Sequence, residues 1–419
     1  MTRLRLATSE TFRSLQVRNF RLFFMGQGIS QIGNWLRLVA QTLLVYELTD
    51  SGLALGLLAA AQFGPVLLLG AFAGLVADRS DKRLLLLRVQ VLWMGLSFVL
   101  AGLAFMDEPP LWAIYLVAAL GGIANAFDNP ARRSFVVEMV PEQDITNAVS
   151  LNSALMTGSR VVGPALGGLL VVTVGFGWAF VLDGLTFLAV IAGLRAMDPT
   201  ALRPAPPAPR GKGQVRAGLR YAWSIPELRV PLLMMTLVGT LAFNFQTVLP
   251  IFAERDLGGD DLTFSLLMSV VSLGSFAGAL RAARRTDVSV RLVSLSAIAF
   301  AVSMLALAAA PNQPTAFAFG VLMGLTSITF MTTSTAIVQL RAEPTMRGRV
   351  LALQAIVFLG STPIGGPIVG WISEAAGARW AVAVGGLAAL AAGAYGLAVG
   401  RRGTDRATTD AVRAEALAE

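Results

Sequence analysis

Apolar runs of about 20 residues, each long enough to cross a bilayer core of about 30 Å, recur along almost the whole chain. Backbone that faces lipid must satisfy its own hydrogen bonds, so each run is predicted to form a helix. Only 14% of the 419 residues are charged, against about 25% in soluble domains. The chain is therefore predicted to be an all-α integral membrane protein.

Twelve membrane spans are predicted, in two groups of six. They cover 20–46, 54–77, 84–105, 111–131, 147–173 and 177–197, and then 230–253, 263–283, 291–310, 315–339, 350–373 and 379–400. The predicted domains are thus a tail (1–19), a bundle (20–197), a linker (198–229), a second bundle (230–400) and a final tail (401–419). In the linker, VRAGLRYAWSI is either a short interfacial helix or a solvated connector.

Lys and Arg concentrate in alternate loops of this arrangement. With the N-terminus inside, the outer loops contain only Arg255 and Arg379. This bias predicts that both termini are cytoplasmic. The net charge of +8 is then explained by topology, and no nucleic-acid partner is expected.

Two sequence stretches recur at nearly the same spacing, which predicts pseudo-symmetric halves. GAFAG at 70–74 resembles GSFAG at 274–278. LNSALMTGSRVVGPALGG at 151–168 resembles LQAIVFLGSTPIGGPIVG at 353–370.

Four spans carry polar residues on one helical face, and in span one the face covers an arc of about 120°. These residues are Gln27, Ser30, Gln31, Asn34, Arg37 and Gln41 in span one; Asn125, Asp128, Asn129 and Arg132 in span four; Thr236, Thr240, Asn244 and Thr247 in span seven; and Thr326, Thr329 and Thr333 in span ten. One interpretation is a cavity lining, and the other is hydrogen bonding between helices, worth about 0.6 kcal/mol per contact. A charge near mid-bilayer normally faces water or a partner, so Arg37 favours a cavity wall.

Few charged residues lie away from the ends of the spans, and proton coupling or charge pairing is assigned to four charged residues of the first bundle. They are Asp128, Arg132, Arg160 and Asp183. Asp128 precedes Arg132 by one helical turn, so a local ion pair and direct coupling both stay open. Asp183 matches Arg160 in predicted depth, which makes them a possible pair. Arg37 meets either a substrate's negative charge or one of the protein's own.

The chain contains no Cys and no His. This excludes disulfides, thiol catalysis and the usual zinc sites. No G-x-x-x-x-G-K-[ST] motif is present either. We therefore expect no enzyme activity, no metal and no cofactor, and an ion gradient as the energy source.

The loop after span two, GLVADRSDKRLLLL, resembles the signature of the major facilitator superfamily, although Asp81 replaces its second glycine. The resemblance implies a conformational latch at Gly74, Asp78, Arg79 and Arg83. In span five, Gly163, Pro164, Gly167 and Gly168 resemble the end of the superfamily's antiporter motif, which is associated with exporters. Small residues also permit close helix packing, so packing alone is the alternative.

Four longer stretches resemble one branch, the bacterial transmembrane secretion effector group, which includes the enterobactin exporter. They are RNFRLFFMGQGISQIGNWL, LVYELTDSGLALGL, AFDNPARRSFVVEMVP and NAVSLNSALMTGSRVVGPALGG. The resemblance implies the twelve-helix major facilitator fold, in which spans one, four, seven and ten line a substrate cavity. The cavity residues would be Gln27, Gln31, Asn34, Arg37, Gln41, Asn125, Asn244, Thr247, Thr329 and Thr333.

The resemblance also implies proton-coupled export of small amphipathic or anionic molecules, such as drugs or siderophores. The partners would be a small-molecule substrate, protons and the lipid bilayer, with a monomer in the bacterial cytoplasmic membrane. Proton-coupled uptake by symport is one alternative. A membrane-embedded sensor or binding module that does not transport is another.

Overall fold

The computed structural model describes residues 11–204, 214–282 and 288–416. Ten helices in these segments are long and apolar enough to cross a membrane. The start of the first tail (1–10), the Pro-rich part of the linker (205–213) and the last three residues lie outside the described residues. The count of twelve spans and the cytoplasmic termini stay predictions.

The chain divides into two compact units. The first comprises Met1–Arg210 together with Gly258–Ser269, and the second comprises Gly211–Leu257 and Val270–Glu419. The first division falls inside the predicted linker. The start of the predicted eighth span groups with the first unit, which the sequence did not predict.

Five long helices form most of the first unit. They are α1 (Arg18–Thr49), α2 (Gly52–Arg79), α3 (Lys82–Ala104), α4 (Leu111–Glu138) and α5 (Ile145–Ala196), with 3₁₀ turns at Arg13–Gln16, Glu142–Asp144 and Pro199–Ala201. Gly175 breaks α5 with φ 78° and ψ 169°, a backbone conformation that glycine adopts readily. The break separates an N-terminal arm (145–174) from a C-terminal arm (176–196). It lies between the fifth and sixth predicted spans.

Short polar residues occupy the N-cap position of several helices. Ser51 and Asp81 accept hydrogen bonds from the N–H groups of Ala54 (3.3 Å) and Leu84 (3.0 Å). Asn312 accepts one from Thr315 (3.1 Å). Each side chain satisfies one of the free N–H groups of a helix start.

Helix α1 packs against both arms of α5 and contributes to a buried apolar cluster at one end of the first unit. The cluster includes Phe20 and Phe23 of α1, Phe135 of α4 and Leu194 of α5. Gly26 allows the close approach of the helices, because a Cβ there would lie 2.9 Å from the carbonyl oxygen of Ala189.

The second unit contains the remaining helices. They are α6 (Gln214–Ser224), α7 (Pro226–Leu241), α8 (Phe245–Ile251), α9 (Asp261–Ala282, whose start belongs to the first unit), α10 (Val290–Ala308), α11 (Gln313–Arg341), α12 (Pro344–Ala376) and α13 (Ala378–Ala416). The described part of the ambiguous linker segment is thus helical, as α6. Ala222 of α6 is buried, and the hydroxyl of Tyr221 accepts a hydrogen bond from the N–H of Glu343 (3.0 Å).

The predicted seventh span is interrupted rather than continuous. Its helix stops at Leu241, resumes at Phe245 and ends in a π-helical turn at Phe252–Asp256. Asn244 Nδ2 donates to the carbonyl oxygen of Thr240 (2.7 Å). This side chain takes the place of a backbone donor, which is how Asn competes with helical structure.

Candidate functional site

The polar face of α1 is buried inside the first unit. Gln27, Gln31, Arg37 and Gln41 are each at most 7% exposed. Gln41 Nε2 donates to the carbonyl oxygen of Ile114 (3.3 Å), and its Oε1 accepts from Gln62 (3.4 Å). The protein itself thus uses part of the hydrogen-bonding capacity of this face, and the cavity lining stays a prediction.

Arg37 meets an acid of the protein. Its Nε lies 3.4 Å from Oδ2 of Asp183, which is in the C-terminal arm of α5 and fully buried. Asp183 therefore pairs with Arg37 rather than with Arg160, the partner suggested by matching depth. Sequence depth placed Asp183 correctly within a span, but only the fold brings that arm of α5 against α1.

Both members of this pair also contact neighbouring side chains. The hydroxyl of Ser97 donates to Oδ2 of Asp183 (2.6 Å), and Arg37 donates to Oδ1 of Asn34 (2.5 Å). The Arg37 guanidinium lies over the indole of Trp93, 4.1 Å from the ring centroid. This is a favourable cation–π geometry. Ser97 and Trp93, both in α3, carry no charge and were not predicted.

The Arg37–Asp183 pair is incompletely hydrogen-bonded. Nε of Arg37 and Oδ1 of Asp183 are buried and have no hydrogen-bond partner among the described residues. A buried ion pair stabilises a protein only when its remaining polar atoms are satisfied. This pair is therefore poorly compensated in its present arrangement.

Asp128 and Arg132 form a second buried pair, within α4. Arg132 Nε donates to Oδ2 of Asp128 (2.8 Å), and Gln90 Nε2 donates to its Oδ1 (2.9 Å). Arg132 also donates to Gln27 of α1, whose Oε1 accepts from Gln31 as well. Both carboxylate oxygens of Asp128 are thus bonded. Because the two residues are one turn apart on the same helix, a rigid-body movement of α4 moves both of them together.

Arg160 lies on the surface of the first unit. It is exposed, and the structure gives it no ion pair or hydrogen bond within the described segments. The predicted cavity residue Asn125 is half-buried and accepts a hydrogen bond from Asn129 (2.9 Å).

In the signature loop after α2, some residues are exposed and others form hydrogen bonds. Asp78 and Arg79 are exposed, and Gly74 has open space around it. Arg83 Nε donates to the carbonyl oxygen of Leu194 at the end of α5 (2.7 Å). The latch role of these residues stays a prediction. Asp81, the departure from the signature, is the N-cap of α3 and has φ −60°.

The signature loop also contributes one residue to a buried ion pair that the sequence did not predict. Lys82 Nζ lies 2.7 Å from Oε1 of Glu138, and both side chains are at most 7% exposed. The sequence places Lys82 among loop cations and Glu138 beyond the end of a span. Their meeting depends on how α3 packs against α4.

The glycine motif of α5 packs closely on α1 and α9. A Cβ at Gly163 would strike Trp35, and one at Gly167 would lie 3.2 Å from the backbone of Leu36. A Cβ at Gly168 would strike Ser265 of α9. Pro164 is buried beside them. These contacts show a packing role for the motif.

In the second unit, the predicted polar residues mostly donate to the backbone of their own helix, and two of them also contact a neighbouring helix. Thr333 is buried and shares a hydrogen bond with Ser296 of α10 (3.2 Å). Thr329 is half-buried and bonds its own helix at Leu325 (2.6 Å). Thr333 thus makes an interhelical hydrogen bond, and the cavity assignment of both threonines stays a prediction.

Asn244 and Thr247 lie beside the interruption between α7 and α8. Both are buried, at 4% and 1% exposure. Oδ1 of Asn244 has no hydrogen-bond partner among the described residues. It borders an apolar cavity of about 10 Å³ lined by residues that include Val248, Met304 and Met323.

Solved structures share this fold at low sequence identity. A bacterial homologue of the human lysosomal transporter Spinster, in an inward-facing and occupied conformation, matches with a TM-score of 0.71 and 15% identity, over 91% of this chain and 96% of that one. The fold is that of a multi-pass membrane transporter of the major facilitator type. The model of the family described as transmembrane secretion effector matches residues 9–416, and the chain belongs to that family.

Curated relatives align over most of their length. The macrolide efflux protein A of Streptococcus pyogenes is 23% identical over 83% of this chain and 87% of its own. The staphyloferrin A transporter of Staphylococcus aureus is 25% identical over 82% and 85%. The multidrug efflux pump Tap of Mycolicibacterium fortuitum is 27% identical over 82% and 87%.

Proposed function

We propose that this chain is a proton-coupled exporter of small amphipathic or anionic molecules that works by alternating access. The relatives named for macrolide, siderophore and multidrug transport support efflux. We further propose that it acts as a monomer in the bacterial cytoplasmic membrane with both termini inside. It would use the proton gradient as its energy source and need no cofactor.

The Arg37–Asp183 pair carries the proposal of proton coupling. A buried carboxylate is stable as an anion only beside a cation or strong donors. Arg37 and Asp183 lie on different helices, 3.4 Å apart, so movement of Arg37 alone separates them. Asp183 would then take up a proton, and re-forming the pair would release it.

Asp128 is the weaker candidate for coupling. Its two oxygens are bonded by Arg132 and Gln90, and Arg132 shares its helix. Oδ1 of Asp183, in contrast, has no hydrogen-bond partner among the described residues. We assign Asp128 and Arg132 to charge pairing.

Everted membrane vesicles provide the test. Respiration acidifies their lumen, so an exporter accumulates substrate inside them. The wild-type chain is expected to accumulate at least one of a macrolide, ethidium and a siderophore. Asp183→Asn should abolish uphill accumulation while preserving exchange of substrate across the membrane.

Asp128→Asn is the matched control, because it makes the same chemical change at another buried, paired acid of the same unit. It should leave uphill accumulation in place for the folded fraction of the protein. Uphill accumulation that survives Asp183→Asn would refute the coupling assignment. Accumulation driven by a gradient of the opposite sign would refute export.

A further inference from the structure

Exposed and half-buried polar residues form a group on one side of the N-terminal arm of α5. At 100° per residue this group falls within an arc of about 80°. Its members are Thr146, Ser150, Ser153, Thr157 and Arg160. We call this set the α5 polar arc; Thr157 is half-buried and the others are exposed.

Exposed small and apolar residues occupy the adjoining arc of the same arm, which is also about 80° wide. They are Ala154, Gly158, Val162, Leu169 and Val172. Val162 and Val172 are 49% and 55% exposed. Lipid accepts such a surface at no cost, whereas an arginine facing hydrocarbon costs several kcal/mol. The apolar arc is therefore the lipid side of α5, and the α5 polar arc faces water.

Two packing contacts bracket the α5 polar arc. Gly167 packs on α1 and points about 20° away from Arg160, just outside one limit of the arc. Gly168 packs on α9 and points in the direction of the other limit. The arc thus lies between the side of α5 that contacts α1 and the side that contacts residues 261–269.

Arg160 is the only charged residue between positions 145 and 174. It lies about 22 Å from the start of the arm and about 21 Å from its end, at a rise of 1.5 Å per residue. Asp183 forms its ion pair with Arg37. No described residue forms an ion pair with Arg160. A cation at this depth, with an accessible side chain and no counterion among the described residues, fits an anion from outside the protein.

The nearby hydroxyl groups are not donors for that anion. Ser153 donates to the carbonyl oxygen of Val149 and Thr157 donates to that of Ser153, both at 2.8 Å. Their free lone pairs make them acceptors. The recognition of a negative group on this surface therefore falls to Arg160.

We infer that Arg160 binds the anionic group of the transported molecule, and that the α5 polar arc is the surface along which an organic anion lies. The inference rests on the proposed transport function and narrows it to organic anions. It makes Arg160, and not Arg37, the arginine that contacts substrate.

Two xanthene dyes of similar size and opposite charge test this at equilibrium. Carboxyfluorescein is the anion and rhodamine 6G is the cation. The full-length protein in phosphatidylcholine nanodiscs is titrated with each dye, and fluorescence anisotropy reports binding. Arg160→Gln should weaken binding of carboxyfluorescein by about ten-fold or more, the loss expected for a charge-assisted hydrogen bond. Binding of rhodamine 6G should not weaken.

Arg160→Lys keeps the charge and should retain part of the affinity for the anion. Arg88→Gln removes an exposed arginine of α3 that lies outside the arc, and should change neither affinity. Equal binding of carboxyfluorescein by wild type and Arg160→Gln overturns the inference. Failure of the wild type to bind the anion at all overturns it equally.

An anionic lipid headgroup is the competing occupant. In nanodiscs with phosphatidylglycerol, carboxyfluorescein should still bind to the wild type with nearly the same affinity. If phosphatidylglycerol displaces the dye from wild type, the site belongs to lipid and the inference is overturned. No gradient is present in these measurements, so their outcome is independent of the vesicle test of proton-coupled export.

Discussion

A Cβ atom at Gly33 would stand 2.8 Å from Oδ1 of Asp183. The same atom would lie 3.0 Å from Cγ2 of Thr186, so the C-terminal arm of α5 leaves no room for a side chain at this position of α1. Gly33 is therefore what lets the Asp183 carboxylate sit against α1, within reach of Arg37.

Gly33→Ala should destabilise the protein by about 1–3 kcal/mol, the usual cost of overpacking a core. Gly64→Ala is the control, because Gly64 lies inside α2 with nothing within 4 Å of its Cβ position. There alanine should stabilise the helix by up to about 1 kcal/mol. Thermal unfolding of both purified variants checks the two directions, and a Gly33→Ala protein as stable as wild type would contradict this account.

Arg37→Gln should cost about 3–5 kcal/mol of stability, because it leaves a buried carboxylate without a cation. Arg37→Gln combined with Asp183→Asn should be more stable than Arg37→Gln alone, since no charge is then buried. A double-mutant cycle from unfolding in detergent measures the coupling.

The exposed pair Arg341–Glu227, at 3.3 Å with both side chains about half exposed, provides the comparison. Arg341→Gln should cost less than about 1 kcal/mol. A double variant of Arg37 and Asp183 that is no more stable than Arg37→Gln would argue against a buried charge pair.

Lys82→Met should also destabilise the protein by about 3–5 kcal/mol, because Glu138 would lose its buried partner. Adding Glu138→Gln should recover part of that loss. Equilibrium unfolding of the purified variants in detergent measures both effects. Lack of recovery in the double variant would show that Lys82 stabilises α3 by another route.

Asp81→Ala should cost about 1 kcal/mol, the usual value of a lost N-cap. Asp81→Ser should be nearly neutral, and Asp81→Gly, which restores the glycine of the family signature, should cost only a few tenths of a kcal/mol. Thermal unfolding gives the ranking. If alanine is as stable as serine here, the bond from Leu84 contributes little.

The sequence predicted the features that depend on local pattern. Apolar runs placed the helices, and the interval between the fifth and sixth spans contains the break at Gly175. The signature loop departs from its pattern at Asp81, where φ −60° shows that no left-handed backbone is required. Each of these follows from a few neighbouring residues.

The partners of buried polar groups were not predictable in the same way. Arg37 and Asp183 are 146 positions apart, and the helical wheel of α1 showed that Arg37 shares a polar face without showing what meets it. The α5 polar arc had a detectable signal, since Thr146, Ser150, Ser153, Thr157 and Arg160 recur every three or four residues. Sequence alone does not show which side of α5 the neighbouring helices cover, so the repeat by itself does not identify an exposed surface.

Trp93 lies with a guanidinium on one side and the ring of Phe187 stacked nearby, at 6.5 Å and an interplanar angle of 4°. An indole shifts electron density when it absorbs light, so its emission colour responds to a charge 4.1 Å away. The pair of Arg37 and Asp183 thus has a built-in optical reporter. In a variant where Trp93 is the only tryptophan, each departure of Arg37 from Asp183 would appear as a spectral shift, and the transport cycle could be followed in real time without a label.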